Sequence, residues 1–227
     1  MTAPKKQIIA CESIQPELTA ILRETGAEAD VVYLLQDLHR HPENIPAAIK
    51  QAIQDAANSD YDEIVLGYGL CSNAVVGIVA PRSRVIIPRV HDCIGMYLGS
   101  LEQYRKRFAE CPGTYYLTTG WINLGKDPLT IMQEIYTPRV GPDEAETAMR
   151  EELAHYSKIA FIESEWAPDL ERCRQKAREN AAYFNLDYEE VKGDSSLLRK
   201  IVTGPYEEPE FVIVESGCPV PQRPFLS

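Results

Sequence analysis

Four short apolar runs, at residues 7–10, 29–35, 62–66 and 84–90, are spaced by segments of helical length, and this alternation constrains the fold more than any other feature. Runs rich in Ile and Val bounded by turn residues read as buried strands. Strands alternating with helices lead to an α/β fold, a Rossmann-like and mainly parallel sheet with helices on both faces. Pro16 and Glu17 suit a first helical turn, and Leu18, Ile21 and Leu22 form an apolar stripe closed by Gly26. Ile45, Ile49, Ala52 and Ile53 mark a second amphipathic helix after a polar loop at 37–41. Residues 67–73, Gly-Tyr-Gly-Leu-Cys-Ser-Asn, read as a tight turn opening a further helix.

The later part of the chain adds a helix within 93–108 and then Pro112 and Gly113, which turn into a strand delivering Thr118, Thr119 and Trp121 to a loop. Helices are expected at 129–136 and 143–156, separated by Pro138 to Pro142. The last third resembles the first. Residues 158–164 line up with 7–13, Pro168-Asp169-Leu170 with Pro16-Glu17-Leu18, and 211–218 with 64–71, so that Cys218 falls opposite Cys71. The expectation is a pseudo-duplicated pair of β-α-β-α-β halves, about residues 6–75 and 157–220, within a single α/β domain over 1–227.

No apolar run approaches the roughly 18 residues of a membrane span, and the start of the chain has no apolar signal core, so the expectation is a cytoplasmic protein. The net charge of −11 and the scatter of basic residues argue against a nucleic-acid footprint, which needs a concentrated positive face. Six cysteines in a chain of this length, without a secretory signal, read as thiols or metal ligands rather than a disulfide framework.

Ligands of open parallel sheets collect beyond the carboxyl ends of the strands, and Cys11, Cys71 and Cys93 all fall at such ends. If residues 90–93 stay extended, His91 and Cys93 project to one side. Thiolates are strong ligands for zinc and iron-sulfur clusters, with His91 as a fourth ligand or an orienting group outside the shell. A Cys-Cys-Cys-His set completes a tetrahedral zinc shell, which favours zinc over a [4Fe-4S] cluster. Any one cysteine alone is more often a small core residue, and Cys111 and Cys173 read that way. Glu12, Tyr68, Ser72, Asn73, Asp92, Thr118 and Trp121 are candidates to line a substrate pocket, although Glu12 at a strand end is as readily a helix cap and Trp121 a core aromatic. His39 and His41, in a loop rich in charged residues, read as solvated.

Gly67 through Asn73, Pro88 through Cys93 with Leu98-Gly99-Ser100, Pro112 through Tyr116 and Gly120-Trp121-Ile122 together resemble the bacterial and archaeal family catalogued as domain of unknown function 1638. Ala10-Cys11-Glu12 and residues 193–198 resemble it too. Many relatives carry Cys-Gly where this chain has Cys71-Ser72, a departure that keeps the cysteine. Members are often encoded beside corrinoid-dependent methyltransferases and corrinoid proteins in anaerobes. The resemblance therefore implies one-carbon metabolism, with a corrinoid protein or methyltransferase as partner. His91-x-Cys93 is similar to the zinc motif of enzymes that move a methyl group from a corrinoid to a thiol. The alternatives are an accessory redox centre, a non-enzymatic chaperone or docking partner for a corrinoid protein, and a small-molecule-binding Rossmann-like module.

Overall fold

A computed structural model describes residues 4–80, 82–166 and 169–226. The chain divides into two compact units, Met1–Gln103 with Asp194–Ser227, and Tyr104–Gly193, where the absence of a linker in the sequence suggested one domain.

The first unit holds β1 (Lys6–Cys11), α1 (Gln15–Thr25), β2 (Asp30–Leu34), α2 (Ile45–Ala57), β3 (Glu63–Gly67), β4 (Arg84–Pro88) and α3 (Cys93–Tyr97). The boundary with the second unit falls inside α4 (Leu101–Glu110). Its sheet has the order β2-β1-β3-β4 in parallel, extended by β8 (Phe211–Val214), which runs antiparallel to β4. Alternate strand residues face opposite sides. Ile9, Cys11, Ile64 and Leu66 join Ile45, Ile49 and Ile53 of α2 in one core. On the other face Ala10, Ile14 and Gly67 come so close that a Cβ on Gly67 would lie 2.6 Å from that of Ala10. α10 (Ser196–Thr203) packs on α1, α3 and β3. Burying each of these isoleucines stabilises the fold by about 1.5–3 kcal/mol.

α1 begins at a proline and ends where Gly26 takes φ +64 and donates its N–H to the Leu22 carbonyl, the stop expected from the sequence. The helix expected after Gly67 does not form among the described residues. Cys71, Ser72 and Asn73 have φ of 43, 58 and 68, and three successive left-handed residues cannot continue a right-handed helix.

The second unit contains β5 (Thr114–Thr118), α5 (Thr119–Asn123), α6 (Pro128–Ile131), a π-helical turn (Met132–Tyr136), α7 (Thr137–Val140), α8 (Pro142–Glu152), β6 (Lys158–Glu163), α9 (Leu170–Phe184) and β7 (Asp187–Lys192). Its parallel sheet has the order β5-β6-β7. Helix continues through Pro138, Arg139 and Val140, so the break expected over 138–142 is confined to Gly141 at φ 92.

Both units are thus mixed α/β, with mostly parallel sheets flanked by helices. The internal duplication holds for one β-α-β unit and then ends. β6, α9 and β7 repeat the parallel pairing of β1, α1 and β2, with Pro168 of that alignment outside the described residues. The place beside β6 that would match β3 is taken by β5. α10 and β8 instead belong to the first unit, and Cys218 lies exposed after an antiparallel strand rather than opposite Cys71 in a second half. No helix among the described residues is long and apolar enough to cross a membrane.

Candidate functional site

In the order β2-β1-β3-β4 the connections turn outward from β1 and β3, so the switch point of the first sheet lies between the carboxyl ends of these two strands. Cys11 is the last residue of β1, and Tyr68 follows the last residue of β3. Both are almost wholly buried, in the core that also includes Cys71.

The loop after β3 is held by the chain leaving β4. The Leu70 N–H donates to the Val90 carbonyl at 2.9 Å, and the Cys71 N–H to the His91 carbonyl at 2.7 Å. Gly69 is required for this approach, because a Cβ there would sit 2.5 Å from the Val90 oxygen. Asp92 caps α3, its Oδ1 accepting the Ile94 N–H at 2.9 Å, and Cys93 opens that helix.

These contacts correct the reading of 90–93 as a continued strand. β4 ends at Pro88 and Cys93 is helical, so His91 and Cys93 are not two positions of one extended face. The contact of His91 that fixes this loop is made by its backbone. Its imidazole was expected to join the cysteines.

Cys11, Cys71 and Cys93 all lie in the neighbourhood of the Tyr68 hydroxyl. That oxygen is buried and lies against the Cys11 thiol. Its pKa is raised first by burial and then by the proximity of Cys11, Cys71 and Cys93, whose thiolates would each oppose a phenolate. Burial also raises the Cys11 thiol, opposed by the Ser13 hydroxyl, which donates to Cys11 Sγ at 3.2 Å. Cys71 is pushed up to about 12 by burial and then by the Asp92 carboxylate. Asp92 is itself raised by burial. The Cys11 and Cys71 thiols therefore rest protonated.

The sequence reading passed over His39. It lies in a 3-10 turn, Gln36–Arg40, just beyond β2, and its Nε2 is 3.6 Å from Cys11 Sγ. Half-buried rather than solvated, it has its pKa lowered by burial. Glu12 sets this turn in place, its carboxylate accepting the Gln36 N–H at 3.2 Å, and no side chain caps the helical turn or α1 that follow β1. Position after β2 was the available signal, since the rule that collects ligands at strand ends applies to β2 as well. Ser72 and Asn73 are exposed, and Asn73 Oδ1 accepts from Gln222 Nε2 at 2.8 Å.

A protein-family model described as "Protein of unknown function (DUF1638)" matches residues 33–202. The chain belongs to the DUF1638 family. The span shared with the family includes His39, Tyr68, Cys71, His91, Asp92 and Cys93, and begins after Cys11 and Glu12. No curated protein and no solved structure matches the chain.

Thr118 and Trp121 of this DUF1638 chain belong to the second unit. Thr118 is fully buried at the end of β5 and accepts the Trp121 N–H at 3.3 Å, capping α5 where the sequence suggested a loop. Cys173 is buried on α9, as expected of a core cysteine, whereas Cys111, read in the same way, is partly exposed before the turn into β5.

Thiols are the donor type that soft metal ions prefer. The shell is not preformed. Among the described residues no three His, Cys, Asp or Glu side chains surround one point, so the thiols would have to rotate to meet an ion.

Proposed function

We propose that the protein holds a soft metal centre, zinc or a [4Fe-4S] cluster, on Cys11, Cys71 and Cys93, and that this centre serves corrinoid-dependent methyl transfer. The observation that carries the metal part is the address of the thiols: Cys11, Cys71 and Cys93 come from the ends of three neighbouring strands at a switch point, in the neighbourhood of the buried Tyr68 hydroxyl. Thiols from separate loops suit a working centre better than a structural knuckle, in which paired cysteines sit on one turn. The corrinoid part rests on the family resemblance. Zinc held there would lower the pKa of an incoming thiol. The chain's own residues would exclude water through the core around Tyr68 and hold Cys71 in place through the two backbone hydrogen bonds to Val90 and His91.

Anaerobic purification with metal analysis and an absorption spectrum tests this reading. The expected result is stoichiometric zinc or a brown cluster, lost when Cys11, Cys71 and Cys93 are replaced together by serine, and co-purification with a corrinoid protein. A metal content equal in the wild type and the triple variant ends it. The switch-point address by itself favours a second reading, a small-molecule-binding module in which Tyr68 hydrogen-bonds the ligand. That reading gains if the metal-free protein binds a corrinoid and Tyr68→Phe abolishes the binding.

A further inference from the structure

We infer that Cys11 is a nucleophile with His39 as its base, a thiol-imidazole pair that takes an alkyl group from a small uncharged electrophile. The inference goes beyond the metal reading and does not rest on it. It concerns the metal-free chain, since an ion on Cys11 would occupy the sulfur. Cys11 Sγ and His39 Nε2 are 3.6 Å apart, within hydrogen-bond reach for sulfur. A protonated thiol is a weak nucleophile, and a base at that distance takes its proton as the new bond forms. The wholly buried Ser13 donates its hydroxyl to the same sulfur at 3.2 Å and stabilises the negative charge that develops there.

Register assembles the pair. β1 pairs β2 in parallel with Cys11 opposite Leu34, so the chain leaving β2 passes beyond the end of β1. The Gln36–Arg40 turn there carries His39, and the Glu12 carboxylate holds that turn by its Gln36 N–H. Gln36, on the same turn, is 2 % exposed and its Oε1 has no hydrogen-bond partner, so the turn that carries the base also buries an acceptor suited to an uncharged polar group. The setting limits the electrophile. Cys11 is 2 % exposed, which admits a small molecule. Leu34, Leu38 and Leu70 belong to the core that contains it, and the Glu12 carboxylate acts on its sulfur, so an anionic electrophile is disfavoured. Sulfur is a soft, polarisable nucleophile, suited to displacement at a saturated carbon. In that step the S–C bond forms as the bond from carbon to its leaving group breaks. The leaving group departs with the electron pair, and the thiol proton passes to Nε2 of the neutral ring and then to solvent.

The test uses full-length protein stripped of metal with a chelator, shown to be folded by circular dichroism, and alkylated with iodoacetamide, each cysteine being followed by mass spectrometry. The exposed Cys218 of the same chain is the reference. The expected result is that Cys11, although buried, is labelled at least as fast as Cys218. His39→Ala and His39→Gln each slow Cys11 by roughly 100-fold and leave Cys218 unchanged, while His41→Ala, at an exposed histidine, changes neither rate. Iodoacetate, the anionic analogue, should fall behind iodoacetamide by a larger factor at Cys11 than at Cys218. Labelling of Cys11 slower than that of Cys218 in the wild type, or a Cys11 rate that His39→Ala leaves unchanged or raises, overturns the pair. Equal preference between the two reagents at both cysteines overturns the uncharged class of electrophile. The metal content of the unstripped protein decides the metal reading separately, so either can fail while the other stands.

Discussion

The carboxyl ends of β1 and β6 began as matching sequences and ended as different environments. Glu12 and Glu163 align, yet Glu12 accepts a backbone N–H from the turn carrying His39, whereas Glu163 pairs with Arg174, which also meets Glu171 and Glu190. Where β1 ends in Cys11, β6 has Ile162, buried in an apolar setting. Near the end of β5 in the second unit some polar groups are satisfied internally, while Thr119 Oγ1 and Asp127 Oδ2 have no partner. Thr118 caps α5, and the buried Asp127 caps α6 while accepting from Asn180 at 2.7 Å. In the first unit the strand ends carry buried thiols and the Tyr68 hydroxyl, with Cys11 accepting from Ser13 and lying beside His39. The difference teaches that the repeated β-α-β unit is a scaffold, and that its use depends on which side chains follow each strand: thiols and an imidazole after β1 and β2, an isoleucine and an ion-paired glutamate at the end of β6.

The largest expected effect probes the closed unit. Phe161, wholly buried on β6, packs with Leu117, Ile159 and Ala177, and Phe161→Ala should cost about 3–5 kcal/mol. Hydrogen exchange should then rise first in residues 104–193; a uniform rise across both units would dissolve the comparison. Gly69→Ala probes the open unit. Its new methyl meets the Val90 carbonyl oxygen, so a loss of about 1–3 kcal/mol in chemical denaturation is expected, together with loss of metal binding. Retained stability with intact binding would show that the loop after β3 can slide.

Titration gives a third way to sharpen the contrast. The Cys71 thiol has its pKa raised from 9.0 to about 12, so the folded state holds this proton longer than the unfolded chain. The stability it contributes is complete below about pH 9 and is lost as the pH rises toward about 12. Metal-free wild type should therefore lose on the order of 2 kcal/mol between about pH 8 and about pH 10.5, and Cys71→Ser should lose much less over that window. Parallel pH profiles for the two proteins would remove Cys71 from the buried cluster. The smallest effect compares the aligned glutamates. Glu12→Ala strips the acceptor from the Gln36 N–H and should cost about 1 kcal/mol while weakening metal binding. Glu163→Ala breaks one of several partly exposed ion pairs, so a change within about 0.5 kcal/mol that leaves metal binding untouched is expected.

The periodicity of the sequence determined the α/β class, the positions of β1 to β6, the start and stop of α1, and the placement of Cys11 and Cys71 just at or beyond strand ends. Those features are local: apolar alternation, a proline at a helix start and a glycine after its end act within a few residues. Tertiary structure decided the rest. Whether β8 would complete a second half or cap the first sheet depended on pairing with β4, more than a hundred residues earlier, which no local pattern encodes. The bend at 89–92 depended on the loop after β3 taking its hydrogen bonds from Val90 and His91. His39 became part of the site only because β2 lies beside β1 with Leu34 opposite Cys11. A thiol and an imidazole separated by 28 positions in the chain meet through strand register, and register is settled by the sheet as a whole.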